Sequence, residues 1–231
     1  MHIGILQADH VLDQFQDEFK DYPEMFISLL SGVQPDLQFS VYDVQVAIPD
    51  VIECDAYLIT GSRHSVYDDF PWIEGLVAYV RDVLAANKKV LGICFGHQLM
   101  AHYFGGAVAP ADGGWAVGIH TSEILETRGW MSQPTSKISL VSSHKDQVQK
   151  LPDGAEVYAT NSFCPIAGFT VGDQVWTIQG HPEFAPEYSR TLMNYRREII
   201  GEETYQGGIA SLSHATDARE LAKWMLEFAA M

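Results

Sequence analysis

A single cysteine, Cys94, lies between two glycines in the stretch LGICFGHQLM, where an apolar run gives way to a helical pattern. Gly92 and Gly96 stand two positions to either side of it. This is the spacing of a nucleophile elbow, in which a strand turns sharply into a helix and presents one side chain at the turn. A thiolate at a helix N-terminus is stabilised by the helix dipole. The pattern therefore predicts a nucleophilic cysteine, with the backbone N–H of Phe95 available to stabilise an oxyanion.

His181 and Glu183 are the predicted partners of this cysteine. A nucleophile needs a base, and the base needs a group that orients it. Of the nine histidines, only His181, in WTIQGHPEF, stands two residues before a carboxylate at the end of an apolar strand pattern. Residues i and i+2 of a strand point to the same side, and Pro182 favours an extended His181. The alternative, a metal bound by the His-x-Glu pair, lacks a third cluster of ligands at suitable spacing, so no metal is predicted.

The other cysteines and two histidines near the elbow are expected to be structural. Cys54 and Cys164 are interpreted as core residues. Three cysteines without a Cys-x-x-Cys pair indicate neither a disulfide scaffold nor a zinc ribbon. His97 is expected to pack against the elbow. His102, five residues further on, belongs to a different helix face and is expected at the surface or in the core.

The elements that must position these residues alternate between strand and helix before the elbow. Strands are predicted in MHIGIL, LQFSVYDV, AYLIT and KKVLGIC, and helices in EMFISLL, from Pro71 onward, and in HQLMAHYF. Residues 9–24 have no regular pattern. Several short strands fill residues 114–180, and helices follow in PEYSRTLMNYRREII and DARELAKWMLEFAAM. This order predicts an α/β fold with a mostly parallel central sheet, helices on both faces and a small strand-rich insertion, in one domain over residues 1–231.

Charge and composition narrow the class of partner. The chain has 231 residues, with 14 Lys+Arg against 30 Asp+Glu and a net charge of -16. Such a surface repels phosphate backbones and anionic membranes, so neither nucleic acid nor a membrane is expected as a partner. No apolar stretch approaches the ~20 residues of a membrane span, and the N-terminus lacks the basic segment of a signal peptide. These features predict a cytoplasmic protein.

Four motifs in order along the chain resemble those of class I glutamine amidotransferases, which cleave the side-chain amide of glutamine. GICFGHQ and QGHPEF resemble the two signatures of that family. Between them, SSHKDQV resembles its Ser-His-x-Asp segment, and ITGSRHSVYDDFPW resembles its oxyanion strand and the following loop. The resemblance implies a flavodoxin-like amidotransferase fold. It also implies that Cys94 forms a γ-glutamyl thioester, that His181 is base and then acid, and that Glu183 orients it.

The same resemblance implies further site residues. An oxyanion hole is implied at the backbone N–H of Phe95 and of a residue at Gly61 or Ser62. The substrate's α-amino and α-carboxylate groups are implied to lie against one glutamine side chain and a short backbone segment. These residues are Gln98, Ser143, Lys145 and Asp146.

The resemblance leaves the leaving group open. The chain is similar both to the amidotransferase half of GMP synthase, which implies a glutaminase releasing ammonia and glutamate, and to γ-glutamyl peptidases acting on glutathione conjugates. The wall expected to discriminate them contains Arg63, His64, Tyr67 and residues 108–118, and Arg63 could pair with a peptide carboxylate. A third alternative is a non-catalytic module that binds γ-glutamyl ligands or a partner. A separate synthetase or ammonia-accepting protein is the partner that the resemblance allows, and no cofactor is expected.

Overall fold

A computed structural model describes residues 1–231, with eleven strands and eight helices. The strands are β1 (His2–Gln7), β2 (Gln38–Asp43), β3 (Ala56–Ile59), β4 (Lys89–Ile93), β5 (Ala107–Pro110), β6 (Ala116–Ile124), β7 (Lys137–His144), β8 (Asp146–Lys150), β9 (Ala155–Thr160), β10 (Gly168–Val171) and β11 (Val175–Ile178). The helices are α1 (Asp13–Phe19), α2 (Tyr22–Ser31), α3 (Pro71–Ala85), α4 (Phe95–His102), α5 (Pro186–Tyr195), α6 (Arg197–Ile200), α7 (Glu202–Ser211) and α8 (Ala218–Ala229). None of these helices combines the length and hydropathy needed to cross a lipid bilayer.

Nine strands form one sheet in the order β2-β1-β3-β4-β11-β10-β9-β6-β7. The strands from β2 to β11 in this order are parallel to one another, and the remaining strands continue the sheet in antiparallel pairs. The predicted α/β fold with a large, mostly parallel sheet is confirmed. The strand-rich segment mostly extends this same sheet, and only β5 and β8 pair separately.

Both faces of the inner parallel strands β1, β3, β4 and β11 are buried, which is why these four strands read as continuous apolar runs, whereas the edge strand β2 has no buried residue. On one face, Ile3, Leu58 and Leu91 belong to a cluster that includes the apolar sides of α2 and α8. On the other face, Tyr57 and Val90 pack in a cluster with α3 and α4. The helices predicted from Pro71 and over DARELAKWMLEFAAM are therefore confirmed as core-facing elements.

Three helical details differ from the sequence prediction. Residues 9–24 contain α1, which has no buried residue and hence no apolar periodicity to reveal it. The helix expected over PEYSRTLMNYRREII is divided into α5 and α6 at Arg196. The unpredicted α7 packs against β6 by close backbone approach, since a Cβ on Gly118 would lie 2.5 Å from the carbonyl oxygen of Gly208.

The parallel strands bring the candidate site together at one edge of the sheet. The carboxyl ends of adjacent parallel strands meet at the same edge, where α/β proteins bind their ligands. Gly61 follows β3, Cys94 follows β4, and His181 follows β11, and these three strands are neighbours in the order β3-β4-β11. The topology therefore supplies the proximity that the motifs require.

Candidate active site

Cys94 lies at the turn between β4 and α4 with φ 49° and ψ -94°. A positive φ is costly for a residue with a side chain, and such strain is concentrated at functional sites. A Cβ on Gly92 would lie 2.7 Å from the carbonyl carbon of Gly96, and one on Gly96 would lie 2.7 Å from the carbonyl oxygen of Ile59. The turn therefore requires glycine at both positions, as the elbow spacing predicts.

The elbow is held in place from β11. The backbone N–H of Cys94 donates to the carbonyl oxygen of Ile178 at 2.9 Å. The side-chain amide of Gln179 donates to the Cys94 sulfur at 3.4 Å. Only 5% of Cys94 is exposed, so the sulfur lies at the floor of a cleft with one amide donor already directed at it.

The predicted base and its orienting carboxylate are in contact. Nδ1 of His181 lies 2.7 Å from Oε1 of Glu183, and both residues are buried. The imidazole stacks on Phe184 with ring centroids 4.0 Å apart and an interplanar angle of 7°. The other ring nitrogen, Nε2, is buried and has no hydrogen-bond partner within the protein. The ring is thus fixed in orientation, with one nitrogen left for chemistry.

The placement of this pair differs in detail from the prediction. The strand that was expected to carry both residues ends at Ile178, three positions before His181. His181 is held instead by a single antiparallel bridge, in which its N–H donates to the carbonyl oxygen of Val141 at 2.8 Å. The contact between His181 and Glu183 therefore depends on a bend stabilised by β7 and not on strand alternation.

The surroundings of His181 favour its protonated form. Burial alone would lower the pKa of His181, but the Glu183 carboxylate and the Cys94 thiolate raise it well above the usual value. A raised pKa means that His181 stays protonated at neutral pH. The geometry can therefore hold a thiolate–imidazolium pair, which is the reactive state of a cysteine nucleophile.

Backbone donors face the same space. The N–H of Phe95 opens α4 and has no hydrogen-bond partner, as expected for the first turn of a helix. The N–H groups of Gly61 and Ser62 are also without partners, whereas that of Arg63 donates to Asp9. A Cβ on Gly61 would lie 2.8 Å from Cε1 of His181 and 3.7 Å from the Cβ of Cys94. Gly61 therefore lies directly against the cysteine and the imidazole.

The four predicted substrate-binding residues line one cleft of about 210 Å³ together with Cys94. Gln98 donates through Nε2 to the carbonyl oxygen of Asp146 at 2.8 Å and to Oε1 of Gln179 at 3.1 Å. Its own Oε1 accepts no hydrogen bond from the protein. Ser143 and the exposed Lys145 lie in the same wall, and Lys145 has no positive φ.

The carboxylate of Asp146 joins the two walls of the cleft. Its Oδ2 accepts hydrogen bonds from the hydroxyl of Ser65 at 2.5 Å and from that of Tyr67 at 2.8 Å. Because these hydroxyls belong to the loop after β3, the contact links segments about 80 positions apart in the chain. The side chain of Asp146 is therefore a structural tie between the two walls of the cleft.

Arg63, considered above as a partner for a peptide carboxylate, is already paired within the protein. Its backbone N–H and its Nε both donate to Oδ2 of Asp9 at 2.8 Å, and its Nη2 donates to the carbonyl oxygen of His10. The buried Asp9 carboxylate thus largely satisfies this guanidinium. Arg63 supports the loop, and its pairing with a substrate carboxylate is not favoured.

Sequence reasoning missed two residues of this site, Gln179 and Arg196. Gln179 donates to Cys94 and is part of the motif QGHPEF, so its position two residues before His181 was the available signal. Trp115, which belongs to the predicted wall over residues 108–118, and Arg196 both line the cleft, and the guanidinium carbon of Arg196 lies 5.6 Å from the centroid of the Trp115 ring. Arg196 follows an apolar helical pattern that indicates only packing, so no local signal identified it.

The remaining cysteines and histidines of interest are structural. Nδ1 of His97 bonds the hydroxyl of Thr177 at 2.9 Å, and burial, with a smaller effect of His144, lowers the pKa of His97 to about 3. His97 therefore packs as a neutral ring beneath the elbow, as predicted, and His102 is half-buried. Burial raises the pKa of the Cys164 thiol to about 12, and the pKa of Cys54 is also raised by burial.

Thiol labelling tests whether Cys94 is more reactive than Cys54 and Cys164. We expect iodoacetamide at pH 7 to alkylate Cys94 at least about tenfold faster than Cys54 or Cys164, because alkylation requires the thiolate and burial suppresses it at the other two sites. Peptide mapping by mass spectrometry at timed intervals measures the three rates. Equal, slow labelling of all three cysteines in the folded protein would contradict an activated thiol at the elbow.

The fold and this site define an α/β protein with a cysteine at a nucleophile elbow beside a buried His–Glu pair. The family model for class I glutamine amidotransferases matches residues 19–197. The chain belongs to the class I glutamine amidotransferase family.

Individual relatives agree with this assignment. The chain is 34% identical to gamma-glutamyl peptidase 3 of Arabidopsis thaliana, over 72% of this chain and 70% of that protein. It is 42% identical to a subunit of the glutamine-hydrolysing GMP synthase of Methanothermobacter thermautotrophicus, over 59% of this chain and 73% of that protein. The crystal structure of a glutamine amidotransferase from Thermotoga maritima has the same fold, with a TM-score of 0.74, 16% identity, and coverage of 100% of this chain and 97% of that chain.

Proposed function

We propose that the protein hydrolyses the γ-glutamyl amide of glutamine to glutamate and ammonia, with Cys94, His181 and Glu183 as its catalytic residues. One observation carries this proposal: Cys94 is held at a positive φ at the start of α4, beside an imidazole that bonds a buried carboxylate at 2.7 Å. Membership of the class I family supports the same substrate class. The sulfur of Cys54 also lies 3.6 Å from Nε2 of His2, but Cys54 is fully buried and burial raises the pKa of its thiol.

The proposed reaction has two halves. The Cys94 thiolate attacks the γ-carbonyl carbon, and the electrons of the C=O bond move to its oxygen. The C–N bond then breaks as the His181 imidazolium gives its proton to the departing nitrogen, so ammonia leaves and a γ-glutamyl thioester remains. Neutral His181 next takes a proton from water, the resulting hydroxide adds to the thioester, and the C–S bond breaks to give glutamate and the thiolate. Glu183 stabilises the imidazolium in both halves.

The oxyanion of both intermediates is proposed to bind the backbone N–H of Phe95 and that of Gly61 or Ser62. The support for this is that all three N–H groups are without partners beside Cys94. Donors that are already oriented stabilise developing charge without reorganisation, and one such donor is worth about 10²–10³ in kcat.

Gly61→Ala tests the close contact on which this arrangement depends. The added methyl would lie 2.8 Å from the imidazole carbon of His181 and would displace that ring. We expect kcat for glutamate release to fall about 100-fold, since a shift near 1 Å can cost this much. Gly129→Ala, at a glycine where an added Cβ would meet nothing within 4 Å, serves as the matched control. Equal kcat values for the two variants, measured at saturating substrate, would contradict the contact.

The α-amino and α-carboxylate groups of the substrate are proposed to lie along Gln98 and the backbone of Ser143, Lys145 and Asp146. Both Nε2 bonds of Gln98 are used within the protein, which leaves its Oε1 as an acceptor for an ammonium group. This assignment is supported by the common cleft that these residues share with Cys94.

A second candidate substrate class, γ-glutamyl peptides, is favoured by a groove beside the cleft. This outer groove is lined by Trp115, His120, Asn161, Phe163 and residues of α7, and it shares Trp115 with the cleft that contains Cys94. Its volume is about 520 Å³ and none of its lining residues carries a formal charge, since burial lowers the pKa of His120. Ammonia needs no such space, whereas a bulky leaving amine does. The similarity to gamma-glutamyl peptidase 3 supports the same alternative.

A separate synthetase that accepts ammonia is the partner proposed for the glutaminase reaction. The similarity to the Methanothermobacter thermautotrophicus protein supports it, because that relative is one subunit of a glutamine-hydrolysing GMP synthase. The non-catalytic alternative gains no support from the geometry around Cys94.

Glutamate release distinguishes these proposals. The purified protein is incubated with glutamine and, separately, with a γ-glutamyl peptide such as a glutathione conjugate, with Cys94→Ala as control. Release from glutamine would support the glutaminase, and release mainly from the peptide would support the second candidate. Release that is unchanged in Cys94→Ala would overturn both, because neither reaction can then depend on the elbow thiol.

A further inference from the structure

The cleft wall contains two cations, Lys145 and Arg196, that form no ion pair with a carboxylate of the protein. Three basic side chains line the cleft, and Arg63 is paired with Asp9 at 2.8 Å. Lys145 is exposed at the rim. Arg196 is half-buried and forms no ion pair, although acidic residues outnumber basic ones 30 to 14 in this chain. An unpaired arginine in such an acidic protein is available for an anionic ligand.

Two contacts fix the direction of the Arg196 guanidinium. Its Nη1 donates to the hydroxyl of Ser143 at 3.2 Å, and its guanidinium carbon lies 5.6 Å from the centroid of the Trp115 ring. Both partners line the same cleft. These two contacts limit the rotation of the planar group, so less conformational entropy is lost when its remaining N–H groups bind a ligand.

We propose that Arg196 binds the α-carboxylate of the γ-glutamyl substrate. This inference rests on the proposed function for the identity of the ligand, and it goes further by assigning the recognition of one substrate group to one side chain. A guanidinium presents paired N–H donors that match both oxygens of a carboxylate. Ser143, on which Arg196 rests, belongs to the segment proposed to hold the α-substituents, so the cation lies at that end of the substrate.

The other charged groups of the cleft are less suited to this role. The Arg63 guanidinium is held by Asp9, and the flexible Lys145 ammonium is exposed and strongly hydrated. The Asp146 carboxylate is occupied by Ser65 and Tyr67 and would repel a second carboxylate. Arg196 is therefore the cation in the cleft wall that is both oriented and free.

The test measures binding and does not require turnover. Calorimetry on Cys94→Ala protein compares glutamine with 4-aminobutanamide, the same molecule without its α-carboxylate. Charge-assisted hydrogen bonds contribute about 1.5–3 kcal/mol, so Arg196→Met should weaken glutamine binding about 10- to 100-fold. Binding of 4-aminobutanamide should stay within about twofold, because a ligand without the carboxylate makes no bond to lose. Arg190→Met, at an exposed arginine of α5, is the matched control, and Lys145→Met tests the other unpaired cation of the cleft.

Each outcome decides the inference. Loss confined to glutamine and to Arg196→Met supports it. Equal weakening of both ligands by Arg196→Met would indicate a structural role for Arg196 and would overturn the inference. A selective loss of glutamine binding in Lys145→Met instead would assign the carboxylate to Lys145 and would also overturn it. The inference likewise fails if the Cys94→Ala protein binds glutamine no better than 4-aminobutanamide. Carboxylate-dependent binding in a protein that releases no glutamate from any γ-glutamyl compound would overturn the proposed function and leave the inference standing.

Discussion

Replacing His181 with alanine should lower kcat for glutamate release by a factor of about 10⁴ or more, because single removals of a catalytic base in triad enzymes cost about this much or more. The imidazole is the group beside Cys94 that can take a proton from water and give one to the departing nitrogen. Its removal also leaves the Glu183 carboxylate buried without its partner at 2.7 Å. The measurement is kcat and KM for glutamine at fixed pH, with circular dichroism to verify the fold.

Glu183→Ala should retain about 10- to 100-fold more activity than His181→Ala, because an orienting group contributes less than the base that it orients. In this variant the imidazole keeps its stacking on Phe184 and its backbone bond to Val141. The Glu183 carboxylate is, however, the group that raises the pKa of His181 most, so this pKa should fall when the carboxylate is removed. The basic limb of the pH–rate profile should therefore move to lower pH.

The control for both variants is His214→Ala, at an exposed histidine remote from the cleft. It should leave kcat within about twofold, as expected of surface substitutions. A His181→Ala enzyme with near wild-type kcat would contradict the assignment of the base. A Glu183→Ala enzyme less active than His181→Ala would indicate that the carboxylate contributes more than orientation.

Steric requirements that act over a few residues could be predicted from the sequence. The elbow is the clearest example, since the close approach of Gly92 to Gly96 arises within one turn of chain, although the approach of Gly96 to Ile59 on β3 does not. The inner parallel strands were also identifiable, because burial on both faces gives uninterrupted apolar runs, and the edge strand β2 was identifiable from its alternating pattern. By contrast, α1 has no buried residue and α7 packs through glycine, so neither gives the apolar periodicity by which helices are recognised.

Contacts between distant segments could not be predicted in this way. Cys94 and His181 meet because β4 and β11 are neighbours in the sheet, and no local pattern specifies that order. The same holds for the tie between Asp146 and the loop containing Ser65, and for the position of Arg196 at the break between α5 and α6. The motifs therefore identified residues with chemical roles, while the topology determines which of them share a cleft.

Cys94→Gly should abolish glutamate release and, unlike Cys94→Ala, should recover part of the stability that the elbow costs. Both changes remove the sulfur, so neither variant can form a thioester. They differ in backbone freedom: a residue with a Cβ at φ 49° is strained by about 1–3 kcal/mol, and glycine is not. After the entropic cost of glycine, we expect Cys94→Gly to be about 1 kcal/mol more stable than Cys94→Ala, a difference of about 2–4 °C in Tm for a chain of this size.

At Cys164 we expect the opposite order of stability, with the alanine variant more stable than the glycine variant. Cys164 is buried like Cys94, but its φ is not positive, so glycine there relieves no strain. At that position glycine should be less stable than alanine by about 0.5–1 kcal/mol, since only the entropic cost remains. Denaturant unfolding of the four variants measures both differences. If the glycine variant were less stable than the alanine variant at both positions, the backbone at Cys94 would carry no strain. If glycine is the more stable residue at position 94 and the less stable one at position 164, the fold gives up stability to hold this thiol at the turn.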